Sequence, residues 1–472
     1  MTKLSQIPLR DRIFFITVYF VQGAMGIAAL AKLYFLKNEV ALNEVQFATI
    51  TALVILPFTI KPLYGLISDF FPIFGRRRKF YLCLGSVINS VSWIVLATGA
   101  NEFWAVFWAL TMTNFGLAIV DVIADGMVVE RSTRETVGKL QTLCWTSLSI
   151  AALFASISGG VLVEIFQPRT IFIFTAILPF LTFFQAIFIN DPKVKSKNSR
   201  SEVKLLEVFI GILAINFFGT ILIYLGTKNL WPLNSFAENF ANSILTAFVF
   251  GNLATIFLIK KFVQEFNAKP FLMAVVFLFL WRAVPSAGAQ FQYFILEELK
   301  WDAMFLGYLG FASTAGNIVG AVLFWKFFDK TNLRKLFFWT ILIGSFAGLL
   351  NLVFVMQPEF LSDKLWGFSQ LMFFALGAEF LLGMIFYLGF LPLFKLAAKI
   401  VPQGIEATMF ALVASFMNLG LLISTHGGGQ LGKSLGVVDG NYDNLSNFLI
   451  LTSIINLGLL AFVFLVPKNG GN

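Results

Sequence analysis

Fourteen apolar stretches of about twenty residues each dominate this chain, and that pattern admits few folds. The hydrocarbon core of a bilayer takes about 20 apolar helical residues to cross, and inside it every backbone polar group must be satisfied within the spanning element. The stretches lie near 13–36, 46–67, 80–98, 103–129, 138–163, 170–190, 205–227, 240–259, 271–296, 303–326, 334–355, 365–394, 404–425 and 445–466. Of 472 residues, 58% are hydrophobic and 12% charged, a balance that a soluble chain of this size could not bury. The expectation is an all-α, polytopic membrane protein. The first stretch is too long for a signal-peptide core and no small-residue cleavage site follows it, so it reads as a retained helix.

The basic residues give the orientation. With the N-terminus inside, 25 of the 34 Lys and Arg fall in inner segments, including Arg76–Lys79 and Lys193–Lys204, and 6 fall in outer loops. That bias predicts both termini on the cytoplasmic side. Omitting the pair 205–259 preserves the parity, so charge is compatible with twelve spans or fourteen. The net charge of +9 belongs to these loops and does not point to nucleic acid. Cys83 and Cys144 lie in apolar segments without metal-ligand spacing. His426 is the sole histidine, which argues against a histidine metal site or a catalytic triad; no cofactor is expected.

A weak internal repeat organises the spans. The exit of the first span, Y-F-L-K-N-E-V at 34–40, echoes Y-F-I-L-E-E-L at 293–299, and the segment from Lys139 resembles that from Glu406 in placement and pattern. Two six-span halves, 1–191 and 270–472, would flank an inserted helix pair within 192–269. Parallel six-span repeats are the plan of major facilitator transporters.

The run D-V-I-A-D-G-M-V-V-E-R-S, Asp121 to Ser132, puts three carboxylates and an arginine at the end of an apolar stretch. Ionisable groups in hydrocarbon cost a few kcal/mol each, so they face a bundle interior or a wet cavity. Asp121 and Asp125 share one helical face, and such a pair suits passage of a solute or a proton. Glu379 stands alone in a very apolar span and is expected to face the cavity. The cations left within spans are Lys32, Lys61 and Arg282. Lys32 reads equally as a residue that snorkels to the outer headgroups, and Lys61, before Pro62, as a structural partner of Asp69 or Asp121. Arg282, about two turns into its span, is too deep to snorkel easily. Pro285 and Gly288 are expected to break that helix and free carbonyls near it. His426 and the glycines after it read as the outer end of a helix and its turn.

The loop G-L-I-S-D-F-F-P-I-F-G-R-R-R-K, Gly65 to Lys79, resembles the tight inner loop of major facilitators, with a gap three residues longer. There Gly65 would let two helices approach closely, and Asp69 would latch one state through a basic residue or a helix N-terminus; the plain alternative is a positive-inside anchor. Four motifs in order, K-P-L-Y-G-L-I-S-D at 61–69, D-V-I-A-D-G-M-V-V-E-R-S at 121–132, F-L-W-R-A-V-P-S at 279–286 and V-P-Q-G-I-E-A-T-M-F-A-L at 401–412, together resemble the folate–biopterin transporter family, a branch of the major facilitators. The family's third motif more usually has a neutral polar residue where Arg282 stands.

The resemblance implies a secondary transporter of folate- or pterin-type anions, acting as a monomer in membrane lipid of a bacterial plasma (inner) membrane or a plastid envelope. Such cargo needs a slot for a flat ring and buried cations for carboxylates. Arg282 and Lys61 are the candidate anion grips, and Gln141, Trp145 and Asn418 the candidate cavity-lining residues, with Trp145 read also as ordinary packing. Asp121 is the first candidate for substrate or proton coupling and Asp125 the second; Glu379, Asp69, Glu130 and Arg131 are candidates for coupling or gating. The rivals are a facilitator for another organic anion or nutrient, a channel, for which no repeated filter sequence exists, and a membrane prenyltransferase-like enzyme. The enzyme reading rests on Asp121-x-x-x-Asp125 and lacks the second acidic cluster that Mg²⁺-diphosphate chemistry needs.

Overall fold

The computed structural model describes residues 7–132, 136–193, 200–227, 235–262, 268–357, 361–365, 368–400 and 406–467. The helices are α1 (Leu9–Glu39), α2 (Glu44–Phe70), α3 (Lys79–Thr98), α4 (Phe103–Glu130), α5 (Val137–Ile165), α6 (Pro168–Phe188), α7 (Arg200–Thr227), α8 (Phe236–Phe262), α9 (Ala268–Arg282), α10 (Gly288–Glu297), α11 (Ala303–Phe328), α12 (Leu333–Met356), α13 (Gln370–Ile400), α14 (Glu406–Ser434) and α15 (Leu445–Leu465). With α9 and α10 counted as one broken helix, the described residues form fourteen long helical segments, and ten of them are by themselves long and apolar enough to cross a bilayer. The pair α7 and α8 has 28 and 27 residues, roughly 40 Å each at 1.5 Å per residue. A two-residue antiparallel pairing, Lys364–Leu365 with Phe368–Ser369, precedes α13.

Two compact units result. The first holds residues 1–41, 54–207 and 303–311, and the second 42–53, 208–302 and 312–472. The first is built around Phe14, Phe15, Val18, Leu82, Ile123, Met127 and Leu140 from α1, α3, α4 and α5. The second is built around Phe271, Phe277, Phe337, Leu393, Phe416 and Val463 from α9, α12, α13, α14 and α15. Water is no driving force between helices in lipid, so close approach and hydrogen bonds carry the association.

Glycine position decides where helices touch. A Cβ on Gly116 would lie 2.4 Å from the Gly85 carbonyl oxygen, and one on Gly23 would lie 2.2 Å from that of Leu148. Both crossings, α3 with α4 and α1 with α5, are backbone to backbone. Gly65 does not have the role its motif suggests: a Cβ there would meet Val122 at 3.6 Å, an ordinary contact.

Two passes are interrupted at proline. In α2 the helix gives way to a 3-10 turn at Leu56–Ile60, with Pro57 at its start, and resumes at Lys61 with Pro62 in its first turn. The freed Val54 carbonyl accepts from Asn114 Nδ2 (2.7 Å). The α9–α10 pass breaks at 283–287, as Pro285 predicts. The end of α14 corrects the sequence reading. His426 and the three following glycines lie inside the helix, which runs on to Ser434. A Cβ on Gly428 would stand 1.9 Å from the Ser286 carbonyl oxygen, so Gly428 is glycine to admit the broken segment, not to end a helix. The chain turns later, at Gly436 and Gly440, both with φ near +76°.

Candidate functional site

Several ionisable residues on three helices of the first unit come together. Asp121 and Asp125 project from α4 one turn apart. Helix α1 presents Tyr19 and Gln22, three residues apart and hence on one face. Lys61 stands where α2 resumes. Its Nζ lies 2.6 Å from Asp121 Oδ2, and Gln22 Nε2 donates to the other oxygen, Oδ1, at 3.0 Å. The Tyr19 hydroxyl donates to Asp125 Oδ1. Of the two partners the sequence allows for Lys61, Asp121 is the one it meets. The ammonium also lies 5.1 Å from the Phe58 ring centroid, a cation–π contact.

Trp145 borders this cluster. Its ring meets Tyr19 edge-on at 5.9 Å, and 44% of the residue is exposed. Gln141, one turn earlier on α5, is exposed. The site thus joins an acid pair, one cation, a phenol, an amide and an accessible indole.

A second cluster ties the ends of α2, α3 and α4. Arg78 Nη2 pairs with Asp69 Oδ1 (2.8 Å) and with Glu130, while Nη1 donates to Ser68 Oγ (2.6 Å). Asp191 Oδ2 accepts the backbone N–H of both Arg78 and Lys79 at 2.9 Å. Burial works against the Arg78 charge, but the Glu130 hydrogen bond and the charges of Glu130, Asp69 and Asp191 outweigh it, so the guanidinium titrates above its ordinary value. Arg131 pairs with Asp11 at 2.7 Å. Asp69, Glu130 and Arg131 are therefore all engaged, in pairings local to this unit.

In the second unit Arg282 closes the 15-residue helix α9, roughly 20 Å from its start at 1.5 Å per residue. Its guanidinium sits 5.5 Å from the Phe390 ring centroid, and its buried Nε has no hydrogen-bond partner among the described residues. Among the described residues no carboxylate reaches ion-pair distance of it. The break beside it is braced: the Ser286 N–H donates to the Ser424 carbonyl (3.0 Å), and the Ser424 hydroxyl donates to the Val284 carbonyl. Gly420 admits this, since a Cβ there would lie 2.8 Å from Arg282 Cβ. Asn418 is half-buried two residues earlier. Glu379 meets the Ser313 hydroxyl. Lys32 is half-buried in α1. Residues 401–405 of the fourth motif lie outside the described residues.

Tyr19 and Gln22 were not candidates from sequence. The available signal was two polar groups on one face of an otherwise apolar first span. Among the described residues no group of three or more His, Cys, Asp or Glu could hold a metal ion, and Asp121 is already committed to a lysine.

The whole chain superposes on solved transporters. A POT family transporter in complex with a thioalcohol conjugated peptide matches with a TM-score of 0.71 at 14% identity over 98% of both chains. A D-xylose-proton symporter matches with a TM-score of 0.67 at 12% identity over 98% of this chain and 99% of that one. At such identity the likeness defines the fold: this is a multi-pass membrane protein of major-facilitator architecture. Sequence narrows the class. A model of the BT1 family matches residues 22–470. The folate-biopterin transporter of Synechocystis sp. is 30% identical over 467 residues, covering 98% of this chain and 83% of the relative. Probable folate-biopterin transporter 4 of Arabidopsis thaliana is 28% identical over 479 residues, covering 96% and 94%. The chain belongs to the BT1 family and is a transporter, not an enzyme.

Proposed function

We propose that this transporter carries folate- or pterin-type organic anions by proton-coupled symport with alternating access. The cargo class is supported by the relatives named folate-biopterin transporter, and proton coupling by the fold neighbour named as a proton symporter. The observation that carries the mechanism is the contact of Lys61 with Asp121 at 2.6 Å. With Asp121 ionised, the ammonium has a counter-charge and no need of a ligand. A proton on Asp121 removes that counter-charge. A buried cation left alone costs several kcal/mol, and a carboxylate of the cargo relieves it. Proton and anion therefore favour each other's binding by equal amounts.

The other candidates take supporting roles. Arg282 offers a planar fork to a second carboxylate. Trp145 offers an exposed ring face to a flat heterocycle, and Gln141 and Asn418 offer polar groups to its edges. Asp125, held by Tyr19, is the second acid, and Glu379 the third. The pairs of Arg78 with Asp69 and Glu130, and of Arg131 with Asp11, act as gates. The domains are 1–191 and 270–472, with 192–269 as an appended helix pair. Both termini face the cytoplasm, in keeping with the 25-to-6 bias of basic residues, in a plasma (inner) membrane or a plastid envelope. The transporter works as a monomer in lipid, without cofactor or nucleic acid.

The test is uptake of labelled folic acid into liposomes holding the purified protein, with and without an inward proton gradient. Gradient-stimulated uptake in the wild type, lost in Asp121→Asn and Arg282→Ala, is the expected result. Uptake that survives both changes overturns the site, and no uptake by folded protein overturns the cargo.

A further inference from the structure

The connection between α2 and α3 carries an aromatic ring where the backbone favours glycine. Residues 73–76 form a tight turn closed by the Arg76 N–H on the Ile73 carbonyl at 3.0 Å. Its two central residues, Phe74 and Gly75, have φ of +50° and +76°. That is the pattern of a type I′ turn, which prefers glycine or asparagine at both places. A bulky residue is strained there. Phe74 is also 79% exposed, more than any other large apolar side chain among the described residues, and Phe71 is 59% exposed. Backbone strain that holds an apolar ring outward points to a partner for the ring.

The neighbours of the ring say what that partner is. Phe74 meets Phe80 edge-on at 5.0 Å. Phe80 lies in the first turn of α3, four residues before Leu84. It therefore heads the row Leu84, Val87, Val91 and Ile94, spaced by three and four and all exposed. On a membrane-spanning helix such a row faces acyl chains. Phe74 extends this row past the end of the helix, to the level of the lipid headgroups.

Cations stand at the same level. A Cβ on Gly75 would lie 3.9 Å from Lys193 Cγ. The carboxylates at hand are taken: Asp69 and Glu130 pair with Arg78, and Asp191 accepts two backbone N–H groups. No carboxylate among the described residues pairs with Arg77 or Lys193. Lys193 is exposed and Arg77 half-buried. Only the Nε of Arg77 is enclosed; its two Nη nitrogens stay open.

We infer that residues 71–77 dock on the membrane surface, with Phe71 and Phe74 at the acyl boundary and Arg77 and Lys193 on the phosphate of an anionic phospholipid. Apolar rings beside basic side chains suit that boundary, and a guanidinium offers phosphate a planar fork. Burial of the Phe74 ring in lipid offsets the strain of its turn. A zwitterionic headgroup has a phosphate too, but its own ammonium cancels the charge, so an anionic lipid is favoured. The contact stands whether or not the transport reading does.

Depth is tested on the full chain in nanodiscs that contain phosphatidylglycerol. In a Cys83→Ala background, Phe74→Cys takes a single nitroxide, because Cys144 is wholly buried. Oxygen, which concentrates in lipid, should relax this label more than a water-soluble nickel chelate does. Leu84→Cys, in the exposed row of α3, gives the lipid reference. A label at 74 relaxed mainly by nickel overturns the membrane contact. The headgroup is read by native mass spectrometry of protein equilibrated with equal phosphatidylglycerol and phosphatidylcholine. The wild type should retain phosphatidylglycerol preferentially, and Arg77→Gln and Lys193→Gln should each lower that ratio about fivefold. Lys300→Gln, at an exposed lysine between α10 and α11, should leave it unchanged. No preference in the wild type, a preference that both variants keep, or an equal loss in Lys300→Gln overturns the headgroup contact.

Discussion

Lys61 and Asp121 are sixty residues apart in sequence and 2.6 Å apart in space, and neither side chain is more than a quarter exposed. Each is the reason the other is tolerated in an apolar bundle. Removing one partner of such a pair costs about 3–5 kcal/mol, whereas replacing both is near neutral. Lys61→Met and Asp121→Leu should each lower the unfolding midpoint in detergent, and the double variant should recover most of the loss without recovering transport. A double-mutant cycle on thermal unfolding checks this. Additive single effects would show the pair to be uncoupled.

Gly427 and Gly428 are neighbours in α14 with opposite expectations. Among the described residues a Cβ on Gly427 meets nothing within 4 Å, while one on Gly428 would stand 1.9 Å from the Ser286 carbonyl oxygen. Alanine is favoured over glycine in a helix by about 1 kcal/mol. Gly427→Ala should therefore be neutral or stabilising. Gly428→Ala forces the α9–α10 break away from α14 and should cost several kcal/mol, seen as loss of monodisperse protein on gel filtration. Equal behaviour of the two would remove the packing reason for Gly428.

The contrast bears on what the sequence could reveal. Span positions were legible because a run of apolar residues has one physical use at this length. Asp121 and Asp125 were legible because carboxylates in such a run are costly. The glycines after His426 were misread because glycine serves both turns and close contacts, and only the neighbouring backbone decides between them. Tyr19 and Gln22 were missed for a related reason: tyrosine and glutamine are unremarkable in a span until α1 is laid against α4. Gly65 was overread, since a family motif carries a residue without carrying its neighbours.

Arg78 tests geometry against charge. Its guanidinium reaches Asp69, Glu130 and Ser68 at once, which a lysine's single ammonium cannot span. Arg78→Lys keeps the charge and should still lose about 1–3 kcal/mol, the range for hydrogen bonds to charged groups. Glu130→Gln, which leaves Asp69 and Ser68 in place, should cost less. Chemical denaturation of the two variants in parallel checks the order, and a harmless Arg78→Lys would mean that charge alone holds this cluster.

The start of α2 is tied at several points within the second unit. Asn43 and Gln46 cap it reciprocally, each side chain accepting the other's backbone N–H at 3.0–3.1 Å. Glu44, 1% exposed, accepts the N–H groups of Asp439 (3.0 Å) and Gly440 (3.4 Å) and lies 3.1 Å from the Tyr442 hydroxyl. That hydroxyl also meets Glu297 at 2.5 Å, and the Tyr293 hydroxyl donates to the Leu42 carbonyl at 2.6 Å. Glu44→Ala strips an acceptor from several donors at once and should cost on the order of 2–3 kcal/mol, with Tyr442→Phe costing about 1 kcal/mol. Burial, the Glu297 hydrogen bond and the nearby carboxylate charges push the Tyr442 phenol above its ordinary value. The folded state therefore favours the protonated phenol. Its contribution is fully present below the unfolded phenol's value near 10 and fades only as pH rises beyond that. Amide hydrogen exchange over residues 45–50 should thus stay slow and flat in free energy from pH 6 to 9 in the wild type. It should quicken at every pH in Glu44→Ala. A protection that falls between pH 6 and 9 in the wild type but not in Tyr442→Phe would show the phenol releasing its proton early and would overturn this account of the anchor.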